Sequence, residues 1–267
     1  MLMLQGLKRK THLPFFQLNR PLYNKHLPLV IFWSPKSGCT TITKWFFYQI
    51  GLLDTALRYD PWIHRYRGVY YGKNPHYLKE LKESLSSGVK KSYKLVRNPY
   101  TRAVSSYLHA CQHRVEWREM NQYINGEEIS QQGISFKEFL YYVKYKGPSK
   151  HVIDAHISRQ FMEGEKKWVR DYIYLENLSQ ELRKLERIHQ LKQSPIMRLA
   201  QSHHHRKRKP VSKMNDHLAT QKNTPHSLPE IIPAYRSFYD QEAIALVQKI
   251  YRIDFEIYRY PLKPMID

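Results

Sequence analysis

Apolar residues fall into separated runs whose spacing changes along the chain, and that spacing predicts the elements. Leu29 to Trp33 is an unbroken run of branched and aromatic residues closed by Ser34 and Pro35, the pattern of a buried strand. After a short loop of small residues, Ile42, Trp45, Phe46 and Gln49 recur at helical spacing, with Thr40 or Thr41 placed to cap the helix. Ser92 to Val96 repeats the scheme: a short strand, a turn at Asn98-Pro99, then a helix capped by Thr101 that carries Ala103, Val104, Tyr107 and Leu108 on one face. Further along, Ser135 caps a helix with Phe136, Phe139, Leu140 and Val143 inward. Tyr172 to Leu175 reads as another strand, and Ser179 to Leu191 as an exposed helix laced with opposite charges. Tyr239 to Tyr260 begins as an amphipathic helix with Ala243, Leu246, Val247, Ile250 and Tyr251 inward. Strands that feed helices predict an α/β fold, a parallel sheet flanked by helices.

The junction at Ser34 to Thr41 is suited to an anion. A strand-to-helix loop aims free backbone N–H groups and the positive end of the helix dipole at one point. Lys36 and the hydroxyls of Ser37, Thr40 and Thr41 add to that point. The loop is P-loop-like in position but is not a Walker loop, because Lys36 opens it and Gly38 alone supplies glycine. A second strand-to-helix junction carries Arg97, Arg102 and Ser105, and an arginine fork beside a serine hydroxyl binds phosphate through parallel hydrogen bonds.

These two stretches resemble the sulfotransferases. PKSGCTT is similar to the loop by which that family holds the 5′-phosphosulfate of 3′-phosphoadenosine 5′-phosphosulfate (PAPS). Arg97, Pro99, Arg102, Ser105 and Tyr107 match the family's 3′-phosphate motif, R-x-P-x-x-R-x-x-S-x-Y, at every fixed position. The resemblance implies that Lys36, Ser37, Gly38, Cys39, Thr40 and Thr41 bind the 5′ end, that Arg97 and Ser105 hold the 3′-phosphate, and that Lys36 also serves catalysis. The segment His151 to Gln160 resembles the D-x-H-W-x-x-Q stretch of the carbohydrate sulfotransferases, with Asp154, His156 and Gln160 in place and Ile157 where tryptophan is usual. A histidine titrates near neutrality, so His156 is the expected base and Asp154 its orienting partner. His64 is the reserve candidate. The D-F-E-x-[FY]-x-Y pattern at Asp254 to Tyr260 resembles the family's C-terminal end, so the likeness runs from about Val30 to Tyr260.

Composition narrows the setting. The chain has 267 residues, 42% of them hydrophobic, which predicts one domain over residues 1–267 with a core at about 27–261 and an N-terminal arm at 1–26. Lys and Arg number 44 against 23 Asp and Glu, a net charge of +21 that concentrates anionic partners: nucleotide, acidic glycan, nucleic acid or the surface of an anionic membrane. Two cysteines exclude a disulfide framework, and Lys8 to Lys10 interrupt the N-terminal apolar stretch too early for a signal peptide. Golgi members of the family carry an anchor and several cysteines, so the expectation is a bacterial-type cytoplasmic enzyme. Tyr59 to Tyr77 alternates aromatic and basic residues in what reads as a half-buried loop, either an ordinary surface or a lining for the acceptor. Ser202 to Pro210 is a solvated basic loop, and residues 201–228 as a whole predict a mobile basic segment able to order over the site.

The function expected is transfer of a sulfuryl group from PAPS to an acceptor hydroxyl, a carbohydrate first, with lipid-linked and small-molecule hydroxyls as alternatives. No metal is expected. The rivals are a P-loop-type nucleotide kinase, which needs Mg²⁺ beside an acidic strand end, and a non-enzymatic binder of nucleic acid or anionic polymer.

Overall fold

The computed structural model describes residues 15–18, 20–124, 129–201, 216–228 and 233–264. Three strands, β1 (Leu29–Trp33), β2 (Lys91–Val96) and β3 (Asp171–Tyr174), form a parallel sheet in the order β1-β2-β3. Trp33 pairs with Leu95 and Val96 with Tyr174, so the loops that leave all three strands emerge along one edge of the sheet. Side chains alternate across a strand, and β1 shows both faces covered. Leu29 and Ile31 pack into a core with Ile42, Trp45 and Phe46, whereas Val30 and Phe32 pack with Tyr77 and Leu81 on the other side. The α/β fold, a parallel sheet flanked by helices, is therefore as the sequence predicts.

Helix α1 (Cys39–Gln49) follows β1, and α2 (Pro99–His113) follows β2. Both begin earlier than the threonines suggest. Gly38 is the N-cap of α1 at φ 89, with no side-chain cap, because glycine turns left-handed without steric cost. On α2 the cap is Asn98, whose side chain accepts from the Tyr100 N–H, with Pro99 at the first helical position. Helix α3 (Phe136–Lys146) has the expected capping box between Ser135 and Glu138.

Other expectations are corrected. Helix α4 (Leu178–Ile188) is not exposed all round: Leu182, Leu185 and Glu186 are buried, and Glu186 accepts hydrogen bonds from Trp45, Gln49 and Ser194. The amphipathic C-terminal helix is α5 (Gln241–Ile250), and the tail pattern after it is itself helical, α6 (Arg252–Tyr258). Within residues 59–77 the expected loop is replaced from Ile63 to Lys73 by consecutive short helical turns, including a π-helical turn at Tyr66–Tyr70. Leu22, assigned to the arm, pairs with Ile31 of β1. The basic run at Ser202 to Pro210 lies outside the described residues. Of the remainder of that segment, Asn223 is tied in by pairing with Ile134 and by a bond to the Tyr107 hydroxyl. No helix among the described residues is long and apolar enough to cross a membrane.

Candidate active site

The loop between β1 and α1 is held by its own backbone and by β2. The Ser37 hydroxyl donates to the Ser34 carbonyl at 2.5 Å, and the Ser37 N–H donates to the same oxygen. Ser37 is thus turned into the loop. Lys36 sits at φ 66, a left-handed conformation that costs a non-glycine residue strain. Its carbonyl accepts from Arg97 Nη1 at 2.8 Å, which offsets that cost. Gly38 could not be replaced easily, since a Cβ there would lie 2.5 Å from Leu175 Cδ1 in a backbone conformation that already favours glycine. The first N–H groups of α1, from Cys39 to Thr41, precede the first intrahelical bond, which Ile42 makes to the Gly38 carbonyl. Thr40 Oγ1 lies 3.3 Å from His64 Nε2, so the reserve histidine adjoins the loop.

Charge is crowded here. Burial, followed by the charges of Arg97 and Arg102, lowers the Lys36 ammonium to about 8, while burial raises the Cys39 thiol. Arg97 is almost fully buried and is spent on protein groups, with bonds to Thr101, the Lys36 carbonyl and the Tyr235 hydroxyl. Arg102 is buried deeper still; it donates to the Pro35 and Ser158 carbonyls, and its Nη2 has no hydrogen-bond partner. A buried guanidinium nitrogen without a partner, on the junction after β2, is a donor suited to an anionic ligand. Ser105 is half-buried on the same helix.

Asp154 and His156 are hydrogen-bonded to each other. His156 Nδ1 lies 2.9 Å from Asp154 Oδ1, and the His156 N–H donates to the same oxygen at 2.8 Å. That pairing holds the Asp154 carboxyl below its usual range. Gln160 ties this segment to Arg97, which directly follows β2: its Oε1 accepts from the Arg97 N–H and its Nε2 donates to the Arg97 carbonyl.

His109 and Lys150 escaped the sequence reading, and Arg67 entered it only as part of the Tyr59–Tyr77 stretch. His109 on α2 stacks against His156, and burial and the Lys36 charge lower it to about 3. Arg67 lies over the Trp33 ring at 4.7 Å with its Nε buried and without a hydrogen-bond partner. Lys150 is lowered to about 8 by burial, with Lys94 and Arg102 adding to the shift. A signal existed for His109, because Arg102, Ser105, His109 and His113 recur every three or four residues and share a face of α2. Arg67, Lys150, Trp33, Pro35, Arg20 and Ala155 border one cleft of about 290 Å³. Among the described residues no group of three or more His, Cys, Asp or Glu side chains converges on a metal position.

The loop after β1 and the arginine-bearing junction after β2 are joined by the Arg97–Lys36 bond, and the Asp154–His156 pair lies on the segment that Gln160 ties to Arg97. The family model of the Sulfotransferase family matches residues 22–261, and the chain belongs to that family. Neither a curated protein nor a solved structure gives a match.

Proposed function

We propose that this sulfotransferase uses PAPS as donor and a carbohydrate hydroxyl as acceptor. The observation that carries the reading is the bond from Arg97 Nη1 to the Lys36 carbonyl, which sets the two motifs side by side; a cleft bordered by Pro35, Ala155, Arg67 and Lys150 adjoins the loop. The free N–H groups of α1, the Lys36 ammonium and the threonine hydroxyls suit the 5′ end of the donor. Arg97 and Ser105 suit the 3′-phosphate, with the Tyr235 hydroxyl as the contact that Arg97 exchanges for it.

In sulfuryl transfer an S–O bond to the acceptor forms as the S–O bond to the 5′-phosphate breaks. Negative charge then grows on the bridging oxygen, and Lys36 neutralises it. His156 Nε2 takes the acceptor proton while Asp154 holds Nδ1–H. Arg20, Arg67 and Lys150 in the cleft, with the Trp33 ring behind Arg67, favour a sugar that carries a carboxylate or sulfate.

The test is transfer from labelled PAPS to neutral and acidic oligosaccharides in EDTA, beside a reaction with labelled ATP and Mg²⁺. Label should enter a glycan from PAPS, more readily an acidic one, and Arg67→Gln should raise KM for that acceptor. Transfer from ATP alone would establish a kinase instead.

A further inference from the structure

One hydrogen bond does not fix a ring. The Nδ1 bond to Asp154 leaves the His156 ring a torsion about that contact, and a second imidazole, contributed by α2, lies against it. The His109 ring centroid lies 4.2 Å from that of His156 with the planes tilted by 31°. His113, one turn further along α2, lies 4.5 Å from His109. At 4.2 Å and a 31° tilt the His109 and His156 rings are in contact, and such a contact restricts how either ring can turn. The charged or titratable groups that face His109 are Lys36 from the anion loop, His156 and Asp154 from the following segment, and His113 from its own helix.

We propose that His109 is a positioning residue for sulfuryl transfer: its uncharged ring sets the plane of His156 and gives His156 and Lys36 a neutral neighbour in place of a third cation. The proposal rests on His156 being the base. Lys36 must stay cationic, and His156 must begin neutral and become a cation as it takes the acceptor proton. A positive group at 109 would oppose both. A neutral aromatic ring opposes neither, and its face attracts the imidazolium that forms. Burial keeps the ring in that state, since protonation is held down to about 3.

Three variants separate this from a packing role. His109→Leu removes the ring and keeps the site neutral; kcat should fall roughly ten- to a hundredfold while the affinity for adenosine 3′,5′-bisphosphate stays the same. His109→Phe restores a neutral ring and should recover part of that loss. His109→Lys installs a cation and should move the acid limb of turnover to lower pH. The titration of His156, followed by NMR of its ring, should move with it, and that readout does not depend on activity. Should the wild type not use PAPS, the functional reading fails while the titration still tests the neighbour effect. An unmoved His156 titration in His109→Lys overturns the proposal. So does a Phe variant no better than Leu, a comparison that stands if the Lys variant does not fold. Loss of the acid limb in His109→Phe would make His109 itself the base and overturn it as well.

Discussion

Arg97 Nη1 donates to the carbonyl oxygen of Lys36 at 2.8 Å, so the side chain assigned to one phosphate holds the backbone of the loop assigned to the other. The two motifs are a single mechanical unit. Arg97 reaches Lys36 because β1 and β2 are parallel neighbours and both loops leave the same edge of the sheet.

Adenosine 3′,5′-bisphosphate should therefore raise the melting temperature far more than AMP, because it fills both phosphate positions. Arg97→Ala should remove most of that difference, a charge-assisted bond being worth roughly 1.5–3 kcal/mol. It should weaken AMP binding too, through the slackened loop. Equal shifts for the two nucleotides in the wild type would count against the 3′-phosphate assignment.

Lys36→Ala should lose about a hundred- to a thousandfold in turnover and weaken the bisphosphate as well. The free ammonium titrates at about 8, depressed by burial, so the active cation is present below that pH and lost as pH rises through it. An alkaline limb in kcat/KM near that value should follow and should disappear in Lys36→Arg, whose guanidinium stays charged. A limb that persists in the arginine variant would belong to another group, such as Lys150.

His156→Ala should bind the bisphosphate normally yet lose about a hundred- to ten-thousandfold in turnover, together with the acid limb of the pH profile. Asp154→Asn should reduce turnover less, by loosening the ring and its tautomer. Near-normal turnover without His156 would shift the role to His64, which adjoins the loop through Thr40.

Lys94 and Glu165 form a salt bridge with both side chains almost wholly buried, and Lys94 also donates to the Gln160 carbonyl and the Tyr258 hydroxyl. Glu165→Gln should destabilise the fold by about 3–5 kcal/mol in urea titration, the cost of a buried charge left without its partner. Lys94→Met with Glu165→Leu should recover much of that loss. A cost of less than about 1 kcal/mol for the single change would mean that the pair behaves as if exposed.

Local pattern alone determined a good deal of this protein. A continuous apolar run must be a buried strand, small residues after it leave N–H groups free, and apolar positions at helical spacing must face a core. Hence β1, the loop that follows it, the Arg97–Ser105 junction and the cap at Ser135 are legible in the chain, whereas the Asp154–His156 step is legible only through the family resemblance. The exact helix starts were not, because Gly38 and Asn98 compete with nearby threonines as caps and the backbone chooses between them. Nor was the burial of Glu186, whose partners Trp45 and Ser194 lie on other elements. Packing decided the rest. Only the parallel pairing of β1 with β2 brings Arg97 to Lys36, and only the docking of α2 against the 151–160 segment brings His109 to His156. Such contacts join residues far apart in the chain, and local periodicity sets which face a side chain occupies but not which partner meets it there.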